Sequence, residues 1–202
     1  MKSIRDMTNA ELAAFIESHL LGKEIYLVLS GGTCVSIYSS NKYVSMDLDL
    51  VNVRFTKRQA IRSAMHEIGF QEEGRHFRHP DTELLMEFPP GPLAVGEEPV
   101  KKVDEHKLPT GILRIISPTD CVKDRLAGYY HWNDLQCLEQ ASLVAEAIKI
   151  DLEEIERWSK VEGKLGEFKR IRTRFVRLNK IKLRKGDIQN ESAGQGGNNR
   201  GL

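Results

Sequence analysis

Apolar residues recur every three to four positions after Thr8, at Leu12, Phe15, Ile16 and Leu20, and the pattern stops at Gly22. That period predicts an amphipathic helix. Thr8 followed three residues later by Glu11 supplies the capping box that starts it. IYLVLS, residues 25–30, is instead a short continuous apolar run and predicts a strand that ends at Gly31 and Gly32, with a short helix over residues 33–39 behind it. SMDLDLVNV, residues 45–53, alternates polar and apolar positions, the period of a half-buried strand. Ala60, Ile61, Ala64, Met65 and Ile68 line one face of a helix over 57–68 that Gly69 ends. FQEEG and RHFRH predict a hairpin about Gly74, ELLMEF (83–88) a strand halted by PPGP, and GILRIIS (111–117) another strand. Residues 89–111, rich in proline, glycine and charge, predict a long surface loop.

After Ser117 and Pro118, a favourable helix start, the helical period continues almost to Lys185, with breaks near Asn133, Asp151 and Gly163 to Gly166. The resulting expectation is an α+β fold. A small mixed sheet flanked by helices occupies residues 1–117, a C-terminal helical bundle with a basic last helix occupies 118–185, and the polar, glycine-rich stretch 186–202 is a disordered tail. No internal repeat is present.

At 202 residues, with 40% hydrophobic and 29% charged content, the chain is long enough to bury a sizeable core. Its apolar runs are too short for a signal peptide or a membrane span, so a soluble, cytoplasmic protein with no membrane partner is expected. Cys34, Cys121 and Cys137 are widely spaced, which predicts reduced, half-buried thiols rather than a disulfide framework or a zinc site. His66, His76, His79, His106 and His131 show no metal-binding spacing either. The net charge of +1 conceals an asymmetry, because Lys164 to Lys185 carries ten Lys or Arg against one acid, Glu167.

Asp47 and Asp49 lie two apart in the alternating strand, so they share one face at a spacing of about 6.6–6.8 Å along the backbone. Alone they fit the solvated face of a half-buried strand. With Gly31 and Gly32 upstream they fit a site: two carboxylates this close repel one another without a cation, and hard oxygen donors suit magnesium, which takes its remaining ligands from water and substrate phosphates. Gly31 and Gly32 let a triphosphate approach the backbone, the helix behind them offers unpaired N–H groups, and Ser30 and Thr33 add hydroxyls.

In that order and spacing, GGTCVSIYSSNKYVSMDLDLV resembles the DNA polymerase beta-like nucleotidyltransferase superfamily, in particular the GGT…S.D.D signature of abortive-infection and toxin–antitoxin nucleotidyltransferases. The match covers residues 24–53 and, more loosely, the order of elements to about 150. The resemblance implies a third metal-holding carboxylate on a later strand, Glu87 or, at that strand's start, Glu83. It also implies a lysine and a following aspartate on the helix after the sheet, here Lys123 for a nucleotide phosphate and Asp134 for the site geometry, base or ribose. The implied chemistry is attack by an acceptor hydroxyl on the α-phosphate of a nucleoside triphosphate, with Asp47, Asp49 and the third carboxylate holding two Mg2+ ions.

Other readings compete. DLDLV also fits the DxDxV motif of haloacid dehalogenase-like phosphatases, but SSNKYV is a poor version of the apolar strand that fold needs, and a glycosyltransferase DxD has no further support. Tyr129, Tyr130 and Trp132 could stack on a base or fill a core, whereas Trp158 continues the Leu152 and Ile155 face and is expected to pack. The basic segment 164–185 fits either a solvated helix face or an RNA-binding surface. A catalytically degenerate member acting as an antitoxin or RNA-binding partner is the alternative to an active enzyme.

Overall fold

The computed structural model describes residues 2–178. Residues 179–185 of the basic segment and the 186–202 tail lie outside them. A 3₁₀ turn, Ile4–Asp6, leads into α1 (Asn9–Leu21). Thr8 caps α1, accepting from the Glu11 N–H while the Glu11 carboxylate accepts from the Thr8 N–H at 2.8 Å, as the sequence predicts. Next come β1 (Leu27–Ser30), α2 (Gly31–Tyr38), β2 (Asp47–Asn52), α3 (Arg58–Glu67), the hairpin β3 (Gln71–Glu73) and β4 (His76–His79), and β5 (Thr82–Glu87). The two glycines are not an open turn before a helix at Thr33: they form the first turn of α2 itself.

The expected long loop contains three strands: β6 (Ala94–Val95) and β7 (Glu98–Pro99), which pair with each other, and β8 (Val103–Leu108), which forms a hairpin with β9 (Gly111–Ile116). VDEHKL is charged because β8 is the last strand of the sheet and much of it is exposed, so its sequence lacks the apolar alternation of a half-buried strand. The helices α4 (Pro118–Trp132), α5 (Leu135–Ala147) and α6 (Leu152–Val161) follow, then a helix over residues 165–178. Their breaks fall near the predicted positions, with Asn133 in the left-handed conformation and Asp134 and Asp151 as N-caps.

The fold is α+β, a seven-stranded mixed sheet in the order β3-β4-β5-β2-β1-β9-β8 with flanking helices and C-terminal helices. β2 runs antiparallel to β1 and parallel to β5, while β1 and β9 are parallel. Helix α1 packs along β9 and β1, and α2 packs on β1, β2, α4 and α5. One continuous apolar core runs from α1 through the sheet to Phe168 and Phe175 of the final helix. Trp158 is fully buried within it, stacked on Tyr130 at 5.8 Å with its indole N–H donating to the Val95 carbonyl. Cys34 and Cys121 are fully buried and Cys137 is partly exposed; all three are free thiols. No helix among the described residues is long and apolar enough to cross a membrane.

Candidate active site

Alternation along β2 buries Leu48 and Leu50 and leaves Asp47 and Asp49 half-buried on the other face. Register then adds a third carboxylate. Asp49 sits opposite Glu87 across the parallel β2/β5 pair, and Asp47 opposite Leu85. Glu83 lies four residues away at the exposed start of β5.

Across the antiparallel β1/β2 pair, Asp49 is opposite Ser30, the residue before α2. Gly31 has φ +72°, and a Cβ there would fall inside the Asp49 carboxylate. At Gly32 a Cβ would meet the Ser45 hydroxyl at 2.9 Å. The glycines are therefore required by close approach: the first turn of α2 rests directly on the acidic strand. The Ser30 side chain makes no cap to α2 and instead donates to the Asp49 carbonyl at 3.5 Å. Thr33, fully buried, donates to the Asp47 carbonyl, so it tethers α2 to β2 and is not a hydroxyl open to a ligand as the sequence predicts.

Neither the Asp47 nor the Asp49 carboxylate accepts a hydrogen bond or an ion pair from the described residues. Burial raises the Asp49 carboxyl to about 6, and the charges of Glu87 and Asp47 push in the same direction. The charge of Arg125 opposes this, and that of Asp124 adds to it. The Glu87 carboxylate is occupied by the His76 ring at 2.6 Å and by Arg75 at 3.3 Å. Among the described residues no group of three His, Cys, Asp or Glu converges closely enough to hold a metal. The unpartnered aspartate pair nonetheless has the donor chemistry of a hard divalent cation site, with Glu87 as the adjacent carboxylate held aside by His76.

Two predicted residues are not brought to this cleft. Lys123 is buried, paired with Asp120 at 2.8 Å and Glu154 at 3.1 Å, and it lines a separate cavity of about 240 Å³ bounded by Lys102, Ser117 and Thr119. Asp134 is exposed and caps α5, accepting from the Gln136 and Cys137 N–H groups at 2.8 and 3.2 Å. The Cys137 N–H and thiol hold its carboxyl below the usual carboxylate range. Arg125, whose charge favours the ionised form of Asp49, stands two positions from Lys123 in the same KDR triplet, and no feature of the sequence distinguishes the two cations.

No protein-family model and no curated protein matches the chain. Two solved structures are similar to it in overall layout. The solution structure of the antibiotic-resistance factor ANT(2'')-Ia is 14% identical with a TM-score of 0.47, over 84% of this chain and 94% of that one. The crystal structure of ANT(2'')-Ia in complex with adenylyl-2''-tobramycin is 14% identical with a TM-score of 0.45, over 70% of this chain and 88% of that one. Likenesses of that size leave the chemistry of this chain to be derived from its own residues.

Proposed function

We propose that this chain is a magnesium-dependent nucleotidyltransferase, moving a nucleoside monophosphate from a nucleoside triphosphate to a hydroxyl of an RNA or a protein. One observation carries the reading. The unpaired Asp49 carboxylate, next to Asp47 and in register with Glu87, lies against Gly31 in the first turn of α2. A cation-binding element and an anion-binding element thus meet at one point, which is what a metal–triphosphate complex requires.

In this reading the N–H groups of the first turn of α2 meet the phosphates, Gly31 and Gly32 let that turn rest on the acidic strand, and Asp47 and Asp49 hold the cation. Bound magnesium would supply charge neutralisation at the phosphates and a Lewis acid at the reacting oxygens. Glu87, one strand over, is the side chain best placed to take the acceptor's proton once His76 releases it. The acceptor oxygen attacks the α-phosphorus, the bond to the β-phosphate bridging oxygen breaks, and pyrophosphate leaves. The likeness of GGTCVSIYSSNKYVSMDLDLV to toxin–antitoxin nucleotidyltransferases supports a place in such a pair, and the basic helix over 165–178 supports RNA as the acceptor.

The engaged Glu87 favours a second reading, a binding protein on the same fold with catalysis lost. Transfer of label from α-labelled nucleoside triphosphates to cellular RNA and protein by wild type, and none by Asp47→Ala, is expected of the enzyme. Calorimetry separates the two readings: metal-dependent nucleotide binding that disappears in the Asp47→Asn, Asp49→Asn double variant belongs to the enzyme. RNA binding indifferent to both substitutions, with no nucleotide bound, belongs to the binding protein.

A further inference from the structure

The aromatic run at the end of α4 divides between core and surface. Tyr130 is buried, stacked on Trp158 and hydrogen-bonded through its hydroxyl to Ser159 at 2.9 Å, and Tyr129 packs against the core. Trp132, the last residue of α4, is instead 77% exposed, with the His131 ring beside it at 6.0 Å. Asn133 then takes the left-handed conformation and turns the chain, so that Leu135, 63% exposed, opens α5. A tryptophan left in water forgoes one of the largest burials that a side chain can offer. The indole and Leu135 form an apolar platform at this end of the bundle.

A row of cations lies alongside. Leu135 and Glu139 are one turn apart on α5 and share a face, and the Glu139 carboxylate accepts from both terminal nitrogens of Arg174, at 3.0 and 2.6 Å. That contact sets the final helix, residues 165–178, against α5. The final helix buries Phe168 and Phe175 and packs Ile171 against the core. Arg170 and Arg177, four residues before and three after Arg174, share the side of the helix that Arg174 occupies. Both are exposed, and neither has an ion-pair partner among the described residues. The acids of this strip are spent, Glu139 on Arg174 and Asp134 on the Gln136 and Cys137 N–H groups that it caps.

A free indole face beside unpaired guanidinium groups fits single-stranded nucleic acid, because every base can stack on the ring while the linking phosphates meet the cations. We propose that Trp132 stacks on an unpaired base of the acceptor RNA and that Arg170 and Arg177 bind the adjoining phosphates, which makes this end of the bundle the place where RNA docks. The assignment rests on the reading of RNA as the acceptor and adds to it the residues that hold the RNA.

The test is binding of a single-stranded RNA of mixed sequence to wild type, Trp132→Ala, Trp132→Phe and the Arg170→Gln, Arg177→Gln double variant over a range of salt, with thermal melts to confirm folding. Trp132→Ala should weaken binding about five- to hundredfold, the range for loss of one stacked base, and Trp132→Phe should keep most of it. The double arginine variant should lower the slope of log K against log salt by about 1.4. Trp132 and the buried Trp158 are the two tryptophans of the chain, so RNA should quench the emission of wild type and leave that of Trp132→Ala unchanged. Binding by Trp132→Ala within twofold of wild type, or no quenching of wild type, overturns the assignment. So does polyglutamate that binds as tightly as RNA with the same dependence on Trp132, the mark of an acidic protein segment, or a Trp132-dependent dimer in sedimentation, the mark of a second copy. Calorimetric binding of the magnesium nucleoside triphosphates, expected to be equal in every variant, separates this assignment from the reading beneath it. Nucleotide bound without RNA overturns the docking site alone, and RNA bound through Trp132 without nucleotide overturns the nucleotidyltransferase reading and leaves the docking site.

Discussion

Asp49→Asn is expected to make the ligand-free protein more stable while removing its ability to bind a metal–nucleotide complex. The perturbation deletes one carboxylate from a cleft where burial, then Glu87, then Asp47 raise its pKa to about 6 from a usual value of 3.8. A carboxyl that holds its proton more tightly when folded than when unfolded contributes stability below about pH 4. That contribution is lost as pH rises through 6. Above pH 6 the whole difference is felt, about 3 kcal/mol at about 1.36 kcal/mol per pH unit, reduced to about 2 kcal/mol by the solvent still in contact with the group. For a chain of this length about 2 kcal/mol corresponds to roughly 4–8 °C in Tm. The assay is a set of thermal melts in chelator from pH 4 to 8. The two proteins should agree at pH 4, and the variant should exceed wild type by several degrees at pH 8. Adding magnesium with a bound nucleoside triphosphate should raise wild type only. Equal melting temperatures at pH 8 would mean that the aspartate is not under strain from its neighbours, and the proposed cation site would fall with it.

Three further outcomes follow from other parts of the molecule. Glu17, 1% exposed on α1, accepts the Arg114 N–H at 2.7 Å with one oxygen and has no partner for the other, and burial pushes its carboxyl up to about 9 despite Arg114. Glu17→Gln should therefore gain up to about 3 kcal/mol at pH 7, measured by denaturant titration, and should flatten a wild-type stability that declines from about pH 5 to 9. Gly31→Ala places a methyl group in the Asp49 carboxylate at a φ of +72°, so it should cost about 1–3 kcal/mol and abolish magnesium-dependent nucleotide binding in calorimetry. Trp158→Ala should cost about 3–5 kcal/mol in chemical denaturation, since it empties a fully buried site that also bonds Val95.

Those parts of the fold that rest on local signals were legible in the sequence: the Thr8 and Glu11 capping box, the alternation in β2, the apolar face of α3 and the turn at Gly74. Strand β8 was not, because the last strand of a sheet can be polar and leaves no periodic apolar signal. At the site, the shared face of Asp47 and Asp49 follows from strand geometry alone. The parallel pairing that sets Glu87 beside Asp49 is a tertiary fact, as is the fate of Thr33, whose hydroxyl is consumed by the Asp47 carbonyl. Lys123 and Arg125 show the limit most plainly. Both are cations on one predicted helix, and only the tertiary packing of α4 decides that Lys123 is spent on Asp120 and Glu154 while Arg125 bonds Asp124 and Gln140.

Glu17 and Asp49 both carry raised carboxyl pKa values, yet the causes differ in a way that separates structure from function. At Glu17 burial dominates and the nearest partners, the Arg114 N–H and guanidinium, already favour the ionised form, so the cost is one of packing. At Asp49 three other carboxylates, Glu87, Asp47 and Asp124, add to burial, and the opposing Arg125 is itself engaged by Asp124. A divalent cation between Asp47 and Asp49 reverses the balance of charge there and leaves Glu17 untouched. Stability measured in saturating magnesium and nucleotide should therefore lose its decline between about pH 4 and 6 and keep the decline toward pH 9. If both slopes persist unchanged, the acidic cluster is not a cation site. If both vanish together, the two groups are not the independent contributors that their separate surroundings make them.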